Sequence, residues 1–156
     1  MNETVIEGPG AASSAECEAV LRSLPEWFGI EAALVQYAKD AAVLPTLTAR
    51  AGGPLCGFLS VKRHFPGSAE IHCVAVHVAY RSRGIGRALL ASCEAWLVGE
   101  GVRLLQVKTL GPSRSSEPYE RTRRVYERAG FTPVEEFLTL WEGNPCLQLA
   151  KPLRPG

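Results

Sequence analysis

The chain has 156 residues, of which 46% are hydrophobic and 21% are charged, and its formal net charge is +1. This length fits one domain with one core, and the balanced charge favours neither a nucleic-acid binder nor a protein of the membrane surface. No apolar run approaches the roughly 20 residues that span a bilayer. The first residues also lack the basic and apolar regions of a secretory signal, so none is expected.

The cysteines are widely spaced and none forms a CxxC pair. Their odd number and spacing argue against a disulfide framework and against a structural zinc site, so we expect no metal. We predict a reducing compartment, the cytoplasm. The five cysteines are Cys17, Cys56, Cys73, Cys93 and Cys146.

The predicted single domain, residues 1–156, begins with a loose lead-in over residues 1–12. Ser13 and Glu16 then have the spacing of a capping box, which predicts a helix that ends before Pro25. Apolar residues at helical spacing predict a second helix over residues 30–41. Between the two helices lies an aromatic turn.

Three strands are predicted next. Residues 46–51 and 55–61 form a hairpin pattern across a Gly-Gly-Pro turn. Residues 70–78 are rich in β-branched and apolar side chains, which is typical of a buried strand.

The second half alternates helices and strands. Ile85, Leu89, Cys93 and Trp96 repeat at helical spacing, and Gly99 marks the end of that helix. A strand at 104–109, a loop at 110–118, a helix at 119–129 and strands at 131–141 and 146–151 follow. An antiparallel start followed by alternating helices and strands predicts an α/β (α+β) fold with a mixed sheet flanked by helices.

The strongest local signal is a glycine loop that joins the buried strand to the helix after it. Gly84 and Gly86 let the backbone approach an anion, and the first amides of a helix have no intrahelical partner. Arg81, Arg83 and Arg87 add the positive charge that suits a pyrophosphate. A tight turn with solvated arginines is the alternative. The spacing matches neither a nucleoside-triphosphate loop nor a dinucleotide fingerprint.

Two segments resemble the motifs of the GNAT superfamily, the acetyl-CoA-dependent N-acetyltransferases. Residues 81–86, Arg-Ser-Arg-Gly-Ile-Gly, match its (Q/R)xxGx(G/A) signature, and residues 125–131, Val-Tyr-Glu-Arg-Ala-Gly-Phe, are similar to its second motif. The two motifs occur in the family's order, and the resemblance covers residues 46–149.

The resemblance implies a mostly antiparallel sheet with about four helices and splayed central strands, and acetyl-CoA as co-substrate. Tyr119 and Thr122 depart from the Asn and Ala of many relatives, which puts one cofactor contact in doubt. Backbone groups of Val74 and Val76 are implied to bind the pantetheine arm, and loop amides the pyrophosphate. The implied cofactor-binding residues are Val74, Ala75, Val76, Arg81, Ser82, Arg83, Gly84, Ile85, Gly86 and Arg87.

The chemistry needs a base for the amine and an acid for the thiolate. Tyr126 matches the family tyrosine near the coenzyme sulfur and is the candidate acid; a core tyrosine is the alternative. Glu70 is the first candidate base, because it has the spacing to Gly84 seen in the histone-modifying branch, and desolvation is expected to raise its pKa. A water-exposed residue at the strand start is the alternative. His72, on the same face by alternation, is the second candidate.

The predicted activity is direct transfer of acetyl from acetyl-CoA to a primary amine on a small molecule or amino acid. Trp27, Phe28 and Tyr37 are candidate acceptor contacts, with core packing as the alternative, and residues 110–118 are placed to form a lid. Three alternative functions stay open: acetylation of protein lysines or N-termini, a non-catalytic coenzyme-A sensor, and a protein-interaction module that pairs through exposed edge strands. Nucleic-acid and membrane partners are not expected, whereas the last strands are the candidate surface for a homodimer.

Overall fold

The computed structural model describes residues 3–155, and within them one seven-stranded sheet forms the centre of the molecule. Its spatial order is β1-β2-β3-β4-β5-β7-β6, and neighbouring strands are antiparallel except for β4 and β5. The strands are β1 (Val5–Gly10), β2 (Thr46–Arg50), β3 (Leu55–Phe65), β4 (Ser68–Val76), β5 (Leu104–Leu110), β6 (Thr132–Trp141) and β7 (Asn144–Pro152).

Four α-helices flank this sheet: α1 (Ser14–Arg22), α2 (Glu31–Ala41), α3 (Ile85–Gly99) and α4 (Glu117–Arg128). The predicted cap of α1 is present, since the Ser13 hydroxyl accepts a hydrogen bond of 3.2 Å from the backbone amide of Glu16. This bond satisfies one of the helix's free amide donors. The predicted mixed fold and mostly antiparallel sheet are therefore confirmed.

The apolar side chains form two clusters. One cluster contains Leu89 and Leu97 of α3, packed with Leu59, Leu105 and Leu149 of the sheet. The other contains residues of α1 and α2 packed with Phe58, Cys73 and Ala75. Each helix pair thus buries an apolar stripe on the sheet, which is the usual solution for a layered domain.

The predicted loose lead-in over residues 1–12 is wrong, because Val5–Gly10 forms the edge strand β1. Ile6 pairs with Ala49 of β2 and packs against the core. The glycines that resembled a flexible segment instead form an irregular, bulged strand. At Gly8, with φ of +103°, a Cβ would lie 2.6 Å from the Thr46 carbonyl oxygen, so the close approach requires glycine. Pro9 is tolerated because β1 is an edge strand.

The buried strand also ends earlier than predicted. β4 stops at Val76 rather than residue 78, and Val78–Tyr80 forms a 3-10 turn. The His77 side chain caps this turn, since its Nδ1 accepts a hydrogen bond of 3.0 Å from the Ala79 amide. The other predicted elements lie within a few residues of the observed ones.

All five cysteines are free and buried. The Cys56 thiol donates to the Ala49 carbonyl oxygen at 3.2 Å, in the interior of the sheet. In the part of the chain that the structure describes, no helix has the length and hydropathy needed to cross a membrane.

Candidate active site

The candidate site lies where β4 and β5 separate. The two strands pair in parallel from Ser68 with Leu104 to Ile71 with Val107, and their pairing ends there. Beyond this point β5 continues against β7, while β4 continues against β3 alone. One edge of β4 over residues 72–76 is therefore left without a strand partner from β5. This is the splay that the family resemblance implies.

A bulge in β4 marks the point of separation. Ser60 and Val61 are consecutive on β3, but their partners on β4 are Cys73 and Ile71. His72 is thus the extra residue between them. A bulge of this kind bends the strand and redirects side chains, and it occurs often beside active sites.

A cavity of about 1350 Å³ opens between the separated strands. Most of the predicted site residues line it, and they come from four parts of the chain. They are Trp27, Phe28 and Tyr37 from the α1–α2 region, His72, Val74, Ala75 and Val76 from β4, Arg81, Gly84, Gly86 and Arg87 from the glycine loop and α3, and Tyr126 from α4.

Four predicted residues lie outside the lining. Glu70 is held in ion pairs, and Ile85 is 2% exposed and packs in the core. Arg83 stacks on the ring of Tyr80, with its Cζ 5.1 Å from the ring centroid. Ser82 adopts a φ of +63° in the turn. The side chains of Ile85 and Arg83 therefore support the loop's shape rather than face the cavity.

The glycine loop presents free amide groups at one end of the cavity. Gly84, with φ of +76°, is the residue before α3, and the first helical hydrogen bond runs from the Ala88 amide to its carbonyl. The amides of Ile85, Gly86 and Arg87 consequently have no partner within the helix. Together with the helix dipole and the nearby Arg81 and Arg87, they form a site suited to phosphate.

Trp27 joins the α1–α2 segment to this end of the cavity. The guanidinium of Arg81 lies over its ring, with Cζ 4.9 Å from the centroid. The Trp27 indole donates to Thr122 Oγ1 at 3.0 Å, and Tyr119 Oη donates to the Trp27 carbonyl at 2.7 Å. The two residues of α4 that depart from the family pattern thus hold the aromatic turn in place.

The candidate acid Tyr126 is 9% exposed and lies edge-on to Phe131. Burial, with smaller contributions from Cys73 and Tyr119, raises the pKa of its phenol. The hydroxyl is therefore protonated at neutral pH, which is the state that a proton donor needs.

Glu70 differs from the expectation. Its carboxylate accepts hydrogen bonds from Lys108 Nζ at 2.9 Å and pairs with His64 Nε2 at 2.7 Å. Burial by itself raises the pKa of the Glu70 carboxyl, but the two basic partners outweigh burial and hold the pKa below its usual range. The predicted rise in this pKa is wrong, because two basic residues from other strands contact the carboxylate, and sequence spacing does not reveal such contacts.

His72 is paired with a residue that the sequence analysis missed. Its Nε2 lies 2.8 Å from Oδ2 of Asp40, near the end of α2, and its ring lies 5.2 Å from that of Tyr37. Gln36 Nε2 donates to the other oxygen of Asp40 at 2.8 Å. Burial opposes ionisation of Asp40, but these hydrogen bonds outweigh it and lower its pKa. One sequence signal could have identified Asp40. It lies in the last turn of a helix, where the helix dipole disfavours a carboxylate, so a stabilising partner is expected.

The predicted lid, residues 110–118, is fastened to the last two strands. The Ser113 amide and hydroxyl donate to Glu136 at 2.8 and 2.6 Å, and the Gly111 amide donates to the Pro145 carbonyl at 2.9 Å. Arg114 donates to Asn144 across the β6–β7 turn. Arg114 and Asn144 both line the cavity. This loop therefore forms part of the cavity wall and is held in place by the last two strands.

Solved structures share this fold over nearly the whole chain. A Desulfovibrio desulfuricans protein described as an acetyltransferase of the GNAT family is 19% identical, with a TM-score of 0.83 over 97% of this chain and 100% of that one. The ribosomal-protein-S18-alanine N-acetyltransferase from Escherichia coli is 15% identical, with a TM-score of 0.77 over 99% and 96%. A GNAT family acetyltransferase from Elizabethkingia anophelis with acetyl-CoA bound is 16% identical, with a TM-score of 0.73 over 96% and 98%.

Among functionally curated proteins, none matches the sequence significantly. The model of the acetyltransferase (GNAT) family matches residues 15–131, which include the glycine loop, the separated strands and all of α4. The match covers about three quarters of the chain. The chain therefore belongs to the acetyltransferase (GNAT) family.

Proposed function

We propose that the protein transfers an acetyl group from acetyl-CoA to a primary amine, with both substrates bound at the same time. The observation that carries this proposal is one continuous cavity that joins the unpartnered edge of β4 to the free amides at the start of α3. A related structure holds acetyl-CoA and another, an aminoglycoside 6'-N-acetyltransferase, is complexed with coenzyme A.

In this proposal the coenzyme lies along β4. Backbone groups of Val74 and Val76 pair with the pantetheine arm as an added strand would. The amides of Ser82, Gly84, Gly86 and Arg87 hold the pyrophosphate, and the side chains of Arg81 and Arg87, which line the cavity, add positive charge around it. The end of β4 that borders the cavity and the open space above Gly86, whose Cβ would meet only Val76 at 3.8 Å, support this arrangement.

The reaction exchanges one bond for another. The amine nitrogen attacks the thioester carbonyl, the new C–N bond forms and the C–S bond breaks, while a base takes the proton that the amine loses. Tyr126 protonates the departing thiolate, and the amide of Val74 stabilises the charge on the carbonyl oxygen. A base is required because an ordinary alkyl amine is mostly protonated at neutral pH.

The acceptor side of the cavity favours a small amine. Phe28 and Tyr37 pack edge to face with ring centroids 6.0 Å apart, and Arg114 of the anchored loop also lines the cavity. An aromatic wall of this kind suits a small molecule or an amino acid. Acetylation of a protein lysine or N-terminus is the second candidate, because the similar Escherichia coli structure is that of a ribosomal-protein-S18-alanine N-acetyltransferase.

The test combines binding and turnover. Coenzyme A at a hundredfold excess over its Kd is expected to stabilise the protein by about 2.7 kcal/mol, visible as a thermal shift that unrelated nucleotides do not give. Acetyl-CoA with a panel of amines is expected to release free thiol. Tyr126→Phe is expected to lower kcat about 100-fold and to leave the shift with coenzyme A unchanged.

Tyr80→Phe is the matched control, because Tyr80 contacts Arg83 through its ring and that ring is retained. It is expected to keep wild-type turnover. Equal loss of coenzyme binding and rate in Tyr126→Phe would remove its role as acid. A coenzyme shift without thiol release, with every amine tried, would favour the non-catalytic sensor instead.

A further inference from the structure

We propose that His72 is the general base of this site and that Asp40 positions it, so that the base is a histidine–carboxylate pair between β4 and α2. The inference rests on the proposed acetyl transfer and adds the residues that remove the proton from the amine. It is carried by the position of His72 in the bulge and by its hydrogen bond to Asp40.

The bulge puts His72 at the point where the strands separate. It is the first residue of the β4 edge that has no partner on β5, and it lines the cavity. Its side chain is 15% exposed and that of Asp40 is 22% exposed, so both groups are shielded from water without being sealed off. A base in this place lies beside both the thioester region and the aromatic wall of the acceptor pocket.

The contact with Asp40 fixes which nitrogen is available. The ionised Asp40 carboxylate only accepts hydrogen bonds, so Nε2 of His72 carries the hydrogen at 2.8 Å. In neutral His72 the lone pair then belongs to Nδ1, which takes the proton. Asp40 also stabilises the imidazolium that forms, while Gln36 and the Tyr37 ring restrict the two side chains. Asp40 is therefore a positioning residue.

Glu70 is poorly suited to the same task. Its two carboxylate oxygens are occupied by Lys108 and His64, and it lies outside the cavity lining. If the Glu70 carboxylate accepted a proton, its ion pair with Lys108 would be lost, and this loss opposes a role as base. We assign Glu70 to the support of β3, β4 and β5 and not to proton transfer.

One experiment detects the hydrogen bond between His72 and Asp40 directly and needs no acceptor amine. Nitrogen-15 spectra of the three histidine rings distinguish a protonated from an unprotonated ring nitrogen, and the His72 signals are those that disappear in His72→Gln. In the wild-type protein Nε2 of His72 is expected to carry the hydrogen, and Asp40→Asn is expected to shift this signal. A hydrogen on Nδ1 in the wild type would overturn the proposal.

The second arm measures turnover with an amine that the wild type acetylates. His72→Ala is expected to lower kcat about 100-fold, with the KM for acetyl-CoA unchanged and with partial rescue by added imidazole. Asp40→Asn is expected to lower kcat about tenfold or more, because the amide is able to reverse the tautomer. Glu70→Gln is expected to keep a kcat close to that of the wild type.

The outcomes separate the two proposals. Wild-type protein that consumes no acetyl-CoA with any amine would overturn the proposed transfer, and with it the base role. Normal wild-type turnover with an unaffected His72→Ala variant would overturn the base role alone. Loss of turnover in Glu70→Gln, with normal turnover in Asp40→Asn, would transfer the role to Glu70.

Discussion

Glu70 lies between two basic side chains that reach it from neighbouring strands. Lys108 is on β5, and His64 is on β3. The Glu70 side chain is 11% exposed and that of Lys108 is 27% exposed, so their interaction is only partly screened by water. The Glu70 carboxylate on β4 therefore links β5, through Lys108, to β3, through His64.

Glu70→Gln is expected to lower the free energy of unfolding by about 2 kcal/mol at neutral pH, because the half-buried Lys108 loses its charged partner. The pKa of Glu70 is lower in the folded state, so its contribution is complete above the unfolded value of about 4.3 and is lost as the pH falls through the folded pKa. Urea denaturation from neutral pH to about pH 3 is therefore expected to show the two proteins converging in acid.

The exposed Glu135, changed to Gln, serves as the control and is expected to leave stability nearly unchanged. A difference between wild type and Glu70→Gln that grew in acid would contradict the lowered pKa.

Single residues were predictable where their role depends on local sequence. Gly84 and Tyr126 both line the cavity, and short sequence motifs had singled them out. The pair of His72 and Asp40 was not found, because it joins residues 32 positions apart and depends on a bulge that places His72 toward α2. Alternation along the sequence does not reveal such a bulge.

Helix α3 has a glycine near each end, and the two have different conformations. Gly84 precedes the helix with φ of +76°, in the left-handed region, whereas Gly99 is the last helical residue. For both, a Cβ would meet no atom within 4 Å. Any difference between alanine substitutions at these positions therefore reports backbone conformation rather than steric contact.

Gly84→Ala is expected to destabilise the protein by about 1 kcal/mol, because alanine disfavours the left-handed conformation, and to weaken the thermal shift with coenzyme A. Gly99→Ala is expected to stabilise it by about 0.5–1 kcal/mol, because alanine restricts the unfolded chain and suits a helix. Chemical denaturation measures both. Equal effects at the two positions would show that Gly84 does not need its positive φ.

Elements with a strong period were predicted well. The helices follow apolar spacing, and the strands from β2 to β7 follow alternation or apolar runs between turn residues. Strand β1 was missed because Gly8, Pro9 and Gly10 are typical of loops, and only the contact with β2 makes them a strand. Strand β1 therefore depends on a tertiary contact, which the local conformational preferences of its residues do not predict.

The whole molecule is organised around one sheet whose two central strands, β4 and β5, pair over only part of their length. Strands β1 to β4 form an antiparallel half, and β5, β7 and β6 form the other. The two halves are joined by four residue pairs between β4 and β5. The sequence alone predicts neither this strand order nor the length of that junction. The family resemblance did imply the separation.

Removal of residues 1–10 is expected to lower Tm by about 5 °C or more, because it removes β1, exposes the edge of β2 and takes Ile6 from the core. Removal of residues 1–4 is the control, since it leaves β1 intact. Circular dichroism gives Tm, and sedimentation is expected to show association of the longer deletion only. Equal Tm values for the two deletions would show that β1 contributes little to the fold.

The burial of all five cysteines has a practical consequence for following the reaction. Burial raises the pKa of Cys17 and Cys93 to about 12, and it raises the pKa of Cys73 as well. Because thiol reagents react with the exposed thiolate, the native chain contributes almost no background to a colorimetric titration of sulfhydryl groups. The same dye then reports the free thiol that the proposed reaction would release and, in denaturant, the opening of the protein's own interior.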